Sequence, residues 1–239
     1  MENKRHYQNP PVREVICEFR FDEKSEWDAT IPGLIYDELK EAYPLKKRSN
    51  EVEITNEGST SRSVQMSDRI QFFNEQENAA IQIAPNLLVI NLLAPYTNWD
   101  NYLGMIERVF TTYKKIANPL DIVHSKLHYI NEIKFTQDVV ELDKYLNFVP
   151  FLGGNLPGDY SSFILGVKIP YEEEKDYLRI QMQNGKSHNL ILDLAYTNNQ
   201  IETVNFENMF VWLNKAHDNI IETFENCIKD DLRKTFVEV

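Results

Sequence analysis

Arg13-Glu-Val-Ile-Cys-Glu-Phe-Arg-Phe21 aligns without a gap to Leu127-His-Tyr-Ile-Asn-Glu-Ile-Lys-Phe135. Ile16, Glu18 and Phe21 match Ile130, Glu132 and Phe135, and Lys134 replaces Arg20. In the first stretch Val15, Cys17, Phe19 and Phe21 alternate with Glu14, Glu18 and Arg20. That period of two marks a strand with one face in a core and one in water. Three further correspondences follow in the same order. Ala80-Ile-Gln-Ile83 resembles Arg179-Ile-Gln-Met182, and each leads through a turn into an apolar strand ending in Tyr-Thr-Asn, at 96–98 and at 196–198. Beyond them Trp99-Asp-Asn-Tyr102 and Phe206-Glu-Asn-Met209 each open a long amphipathic segment. Four matches in one order predict a duplicated unit, residues 1–120 and 121–239, packed as one compact body because no Pro/Gly/Ser-rich linker separates them.

Each unit reads as β-α-β(3–4)-α, an α+β class. Helices are predicted over Pro32 to Tyr43, Trp99 to Ile116, Val139 to Phe148 and Phe206 to Ile228, from apolar stripes at helical spacing. The polar stretch Lys46 to Asp68 reads as an irregular hairpin or long loop. Strands are predicted over Arg69 to Asn74, Ala79 to Ala94 with Pro85-Asn86 as the turn, Ser162 to Ile169, Tyr177 to Gln183 and Asn189 to Thr197. Asn184-Gly185 is the strongest hairpin signal. Element order alone suggests an antiparallel sheet with helices on one face, a TATA-binding-protein-like saddle. The alternative is a helix-grip arrangement, in which a long helix closes over a curved sheet and a cavity.

Composition bounds function. The 239 residues carry 25 basic and 37 acidic side chains, a net charge of −12. Few cations are available to neutralise phosphates, so nucleic acid and anionic membrane are not expected partners. The start of the chain lacks an apolar secretion signal, and Cys17 and Cys227 read as buried reduced thiols, which points to a cytoplasmic setting. No phosphate loop, dinucleotide fingerprint, nucleophile elbow or paired-histidine helix is present. His124 and His128 share a strand face but lie roughly 13 Å apart, so no metal and no cofactor is expected. The reading is a non-enzymatic protein working through a protein partner, with a homodimer also compatible.

Glu14, Glu18, Arg20, Gln82, Asn91, His128, Glu132, Lys134, Gln181 and Asp193 fall on the outward rows, a solvated face or a docking platform in which Glu18, His128, Glu132 and Asp193 are the candidate contacts. Asn131 lies on an apolar row, where a buried amide must be hydrogen-bonded: a clip to a neighbouring strand, or a ligand contact inside a cavity. Tyr96 and Trp99 stand at a strand-to-helix corner, as core anchors or interface aromatics. His217 reads as a satisfied histidine at the edge of the last helix's stripe. Glu172-Glu173-Glu174 reads as a solvated turn, with an acidic decoy for a basic toxin or nuclease as the sharper alternative.

Asn9-Pro-Pro-Val-Arg-Glu-Val-Ile-Cys-Glu-Phe-Arg-Phe21 resembles the opening of a sporadically distributed, uncharacterised family of bacterial and archaeal proteins. Pro95-Tyr96-Thr-Asn-Trp99, His128-Tyr-Ile-Asn-Glu132 and Trp212-Leu-Asn-Lys-Ala-His217 resemble further motifs of that family. His128 and Glu132 stand where the family commonly has basic residues. The resemblance implies no catalytic activity. It implies a partner-protein role such as antitoxin, immunity protein or anti-phage accessory component, while the bottom-up alternative is a helix-grip binder of a small ligand.

Overall fold

The computed structural model describes residues 5–57, 61–135, 140–156, 160–171, 173–185, 189–198 and 206–238. The described residues form an α+β architecture: one antiparallel sheet of nine strands, and five helices. The strands are β1 (Val12–Phe21), β2 (Leu45–Glu57), β3 (Ser61–Phe73), β4 (Ala79–Ala84), β5 (Leu87–Leu93), β6 (Ile122–Ile133), β7 (Ile164–Tyr171), β8 (Asp176–Asn184) and β9 (Leu190–Asn198). Their order across the sheet is β2-β3-β4-β5-β1-β6-β9-β8-β7. The two stretches that align in sequence, in β1 and β6, are therefore central neighbours, with Cys17 opposite Leu127. The helices are α1 (Ile31–Leu39), α2 (Trp99–Ala117), α3 (Leu142–Tyr145), α4 (Met209–Cys227) and α5 (Asp230–Phe236).

Alternation does what the sequence pattern requires. Val15, Cys17, Phe19 and Phe21 are buried under the helices, and Leu127, Tyr129 and Ile133 continue that layer on β6. Leu88 and Ile90 of β5, Leu192 and Leu194 of β9 and Leu178 to Met182 of β8 extend it sideways. Onto this layer α2 sets Tyr102, Ile106, Val109, Phe110 and Tyr113, and α4 sets Met209, Leu213, Ala216 and Ile220. Each stripe repeats at three or four residues, so one helix face meets the sheet and the other meets water. Asn98 caps α2, its side chain accepting from Asn101 N at 2.9 Å. Asn118 ends the helix in the left-handed region at φ 43°, a conformation asparagine tolerates. Asn98→Ala is expected to lower stability by about 1 kcal/mol in a urea melt.

Of the two readings for Lys46 to Asp68 the hairpin holds and the long loop does not, and its pairing is regular: β2 and β3 pair in register from Leu45↔Phe73 to Glu57↔Ser61. Charged and polar neighbours dilute the alternation in this stretch, which the register makes plain by setting Val52 opposite Met66 and Ile54 opposite Val64. Two further expectations are adjusted. The helix expected over 139–148 is a single turn, Leu142–Tyr145, with residue 139 outside the described residues. The terminal helix stops at Cys227, and a separate α5 follows it. Lys229, with φ −110° and ψ 167°, is extended and breaks the α-helical path. The Asn184-Gly185 hairpin joins β8 to β9, and part of its turn lies outside the described residues.

Both cysteines are free and buried. Burial pushes the Cys17 thiol well above its ordinary range and that of Cys227 up to about 11. Neither should react with a thiol-specific chromophore at pH 8 while the protein is folded, and both should react once it is denatured. Fast labelling of the native protein would contradict this.

Candidate functional site

The polar rows lie on the sheet face away from the helices, and their groups answer one another. Asn91 Nδ2 donates to Glu14 Oε1 at 2.8 Å, and Gln82 Nε2 donates to Asn91 Oδ1 at 3.0 Å. Arg69 and Gln71 each donate to Gln82 Oε1 at 3.3 Å. Across the centre Glu18 holds Arg20 at 2.7 Å and Lys126 at 3.2 Å. His128 is bonded to Asp193, which also takes Arg179 at 3.3 Å. Asn189 Nδ2 donates to Glu132 Oε1 at 2.7 Å. Of the four candidates on this face, His128 and Asp193 meet, whereas Glu18 and Glu132 are engaged in separate pairs. A cross-strand ladder of this kind stabilises the sheet and shields small residues such as Ala195 and Val89 beneath it.

Burial by itself would raise the Glu18 carboxyl. Lys126, Arg20 and His124 outweigh it and bring the group down to about 2. Among the described residues no group of three or more His, Cys, Asp or Glu is placed to hold a metal ion. Glu173 and Glu174 have positive φ in the turn between β7 and β8, and Glu172 lies outside the described residues.

The other three candidates meet elsewhere, on the helix side. A cleft of about 520 Å³ opens between α4, the corner leading into α2 and the segment preceding β1. Its floor is Tyr129 and Asn131 of β6 with Leu194 of β9. One wall is the corner 96–100, which carries Tyr96 and Trp99. A second is α4, through Asn214, His217, Ile221 and Phe224. The third is residues 5–12, whose backbone is tied to the end of the chain by Gln8 N to Val237 O at 2.8 Å and Asn9 N to Phe236 O at 3.0 Å.

Hydrogen bonds organise the floor. Tyr129 Oη lies 3.0 Å from Tyr96 Oη and 3.0 Å from His217 Nδ1. The His217 ring stacks on Trp99, with centroids 4.3 Å apart and planes 3° from parallel. Trp99 Nε1 donates to Asn214 Oδ1 at 2.8 Å, which locks the indole against α4. Asn131 Nδ2 donates to Leu192 O on the adjacent strand at 3.1 Å, so this amide is a strand clip as well as part of the floor. Burial raises the Tyr96 phenol to about 12, with Asp100 adding to the rise against the bond to Tyr129. Burial raises the Tyr129 phenol as well, so both phenols stay protonated at neutral pH.

The repeated Tyr-Thr-Asn does two different jobs. At 96–98 it builds this corner and caps α2. At 196–198 it lies in β9, where Tyr196 Oη donates to Asp176 Oδ2 at 3.1 Å and Ser125 N donates to Asn198 Oδ1 at 2.6 Å. Sequence reasoning did not single out Tyr7 or Tyr129, and it placed His217 at the core edge without its partners. The available signal was Tyr129 itself, a hydroxyl on a row otherwise apolar apart from Asn131. Residues 5–8 carry no periodicity and acquire a role only where the end of the chain pairs with them.

No protein-family model matches this chain, and no match is found among the curated proteins. No helix among the described residues is long and apolar enough to cross a membrane.

Proposed function

We propose that this chain binds a small molecule in the cleft between α4 and the centre of the sheet, without chemistry of its own. The observation that carries this reading is the cleft itself: about 520 Å³, walled by aromatic and aliphatic side chains, with a few converging polar groups on a rigid strand floor. Ligand sites commonly have this size and make-up. It is the helix-grip reading in its functional sense, a long helix over a curved sheet. The proposal includes a duplicated ancestry for the two halves, with the aligned strands β1 and β6 paired at the sheet's centre. In saturation binding by tryptophan fluorescence, a set of small aromatic alcohols and ketones should give at least one saturable ligand. Ile221→Trp, which fills the cleft, should weaken it at least tenfold, about 1.4 kcal/mol, with the far-ultraviolet circular dichroism unchanged. Absence of saturable binding across the set would sink the reading.

The protein-partner reading is supported by a different observation. Phe151 is 92% exposed and Ile164, at the start of the edge strand β7, is 76% exposed. Among the described residues β7 ends the sheet, and large exposed apolar side chains suit a protein contact. This second proposal is a cytoplasmic interaction role of the antitoxin, immunity or anti-phage accessory kind, or a homodimer. Phe151→Asp combined with Ile164→Lys should abolish co-purification of a stoichiometric partner under native expression. Wild-type protein purifying as a monomer without a partner would count against it.

A further inference from the structure

We infer that the ligand of this cleft is a compact, uncharged molecule with an apolar body and one oxygen head group, an alcohol, phenol or ketone, seated on Tyr96 Oη. The inference rests on the ligand-binding reading and specifies the head group. Tyr96 lines the cleft, and among the described residues its hydroxyl has Tyr129 as its one hydrogen-bond partner. A phenol oxygen can both donate and accept, so one position on Tyr96 is open toward the cleft. The floor, Tyr129, Asn131 and Leu194, carries no formal charge, and a buried ion there would lack a counter-charge. Asp100, Asp218 and Glu225 at the walls, on a chain of net charge −12, oppose an anion, and Arg5, which also lines the cleft, is paired with Glu238 at 3.2 Å. Glu225 is bound by Arg233 at 2.8 Å and by the Tyr7 hydroxyl at 2.7 Å, which offsets its pull on a cation.

The direction of the hydrogen-bond chain decides what the head group must do. Tyr129 has one hydrogen and two neighbours, each at 3.0 Å. If Tyr129 donates to His217 Nδ1, Tyr96 donates to Tyr129 and can only accept from the ligand. If His217 Nδ1 carries a proton and donates to Tyr129, Tyr129 donates to Tyr96 and Tyr96 donates to the ligand. An imidazolium has a proton on both nitrogens, so protonated His217 favours the second order, since Tyr129 accepting from both neighbours would leave its buried O–H without an acceptor. The titratable groups that line the cleft with this histidine are Asp218 and Glu225 on α4, Tyr129 on β6, Tyr96 and Asp100 at the corner, and Arg5, His6 and Tyr7 on the N-terminal segment. Behind them Cys17 and Tyr102 act on Tyr129, Arg233 of α5 pairs with Glu225, and Lys215 of α4 pairs with Asp176. A ketone accepts only, so it needs the second order. An alcohol or phenol fits both.

The test uses the intact protein and three probes with one body: 4-phenylphenol, 4-acetylbiphenyl and biphenyl-4-carboxylate, titrated by tryptophan fluorescence from pH 8.5 to 5.5. The ketone should tighten at least threefold as pH falls, the phenol should change less than twofold, and the carboxylate should bind weakest at neutral pH. Tyr129→Phe, an isosteric change that interrupts the chain, should remove the pH dependence of the ketone while circular dichroism stays unchanged. Saturable binding of phenol and ketone with no pH difference, or a pH dependence that survives Tyr129→Phe, would overturn this inference and leave the ligand-binding reading standing. A carboxylate that binds tightest at neutral pH would overturn the uncharged head group. Failure of all three probes to bind would remove both.

Discussion

Glu18→Gln is expected to destabilise the protein by about 2–3 kcal/mol at pH 7 and to have almost no effect near pH 2. The carboxyl is held at about 2 against an ordinary 4.5, because Lys126, Arg20 and His124 more than compensate for its burial. A folded-state value below the unfolded one means the native state favours the ionised form. Its stabilisation is therefore fully present above about pH 4.5 and is lost as pH falls from there toward 2. A shift of that size corresponds to about 3 kcal/mol, and part of it returns when the half-exposed Lys126 and Arg20 re-solvate. Urea melts at pH 7, 4 and 2.5 check this. The wild-type and variant curves should converge with acidification, and parallel curves would mean that Glu18 is not a major source of the acid sensitivity.

Tyr102→Ala is expected to cost about 4 kcal/mol, enough to threaten folding at 37 °C, whereas Tyr102→Phe should cost about 1–2 kcal/mol. Tyr102 is fully buried where α2 crosses β1 and β5, and its hydroxyl donates to Ile90 O at 2.7 Å with Val15 O at 3.4 Å. The alanine variant leaves a cavity under the first turn of α2 as well as carbonyls without this donor. The phenylalanine variant leaves only the second defect, and the difference between the two measures the packing contribution. Thermal melts of both variants decide it. The alanine change should also weaken cleft binding, since Trp99, which stacks on His217, sits one turn earlier on the same helix.

Legibility in the sequence followed the strength of the local pattern. β1, β6 and β9 alternate strongly, and α2 carries both its caps and its stripe in its own residues, so their ranges came within one or two residues. β2 and β3 were harder to delimit because Val52, Ile54, Val64 and Met66 alternate among charged and polar residues that dilute the strand period. α3 and α5 failed because short helices are fixed by what they pack against: α3 is tied through Leu146 and Asn147 to Ile228 and Cys227, residues eighty or more positions away.

The site divided in the same manner. The outward placement of Glu18, His128, Glu132 and Asp193 follows from strand period, and the inward place of Asn131 from the same alternation. That Tyr96, Trp99, Tyr129 and His217 converge does not follow from any spacing in the chain, because they come from a corner, a central strand and a helix separated by 30 to 121 positions. By itself the sequence determined the class, the alternating strands, the two long helices and the buried thiols, since these arise from periodicity and side-chain polarity read locally. Tertiary structure alone decided the strand order, the pairing that neutralises the polar face, and the cleft. Each of these depends on which distant segments become neighbours once the apolar rows are buried together.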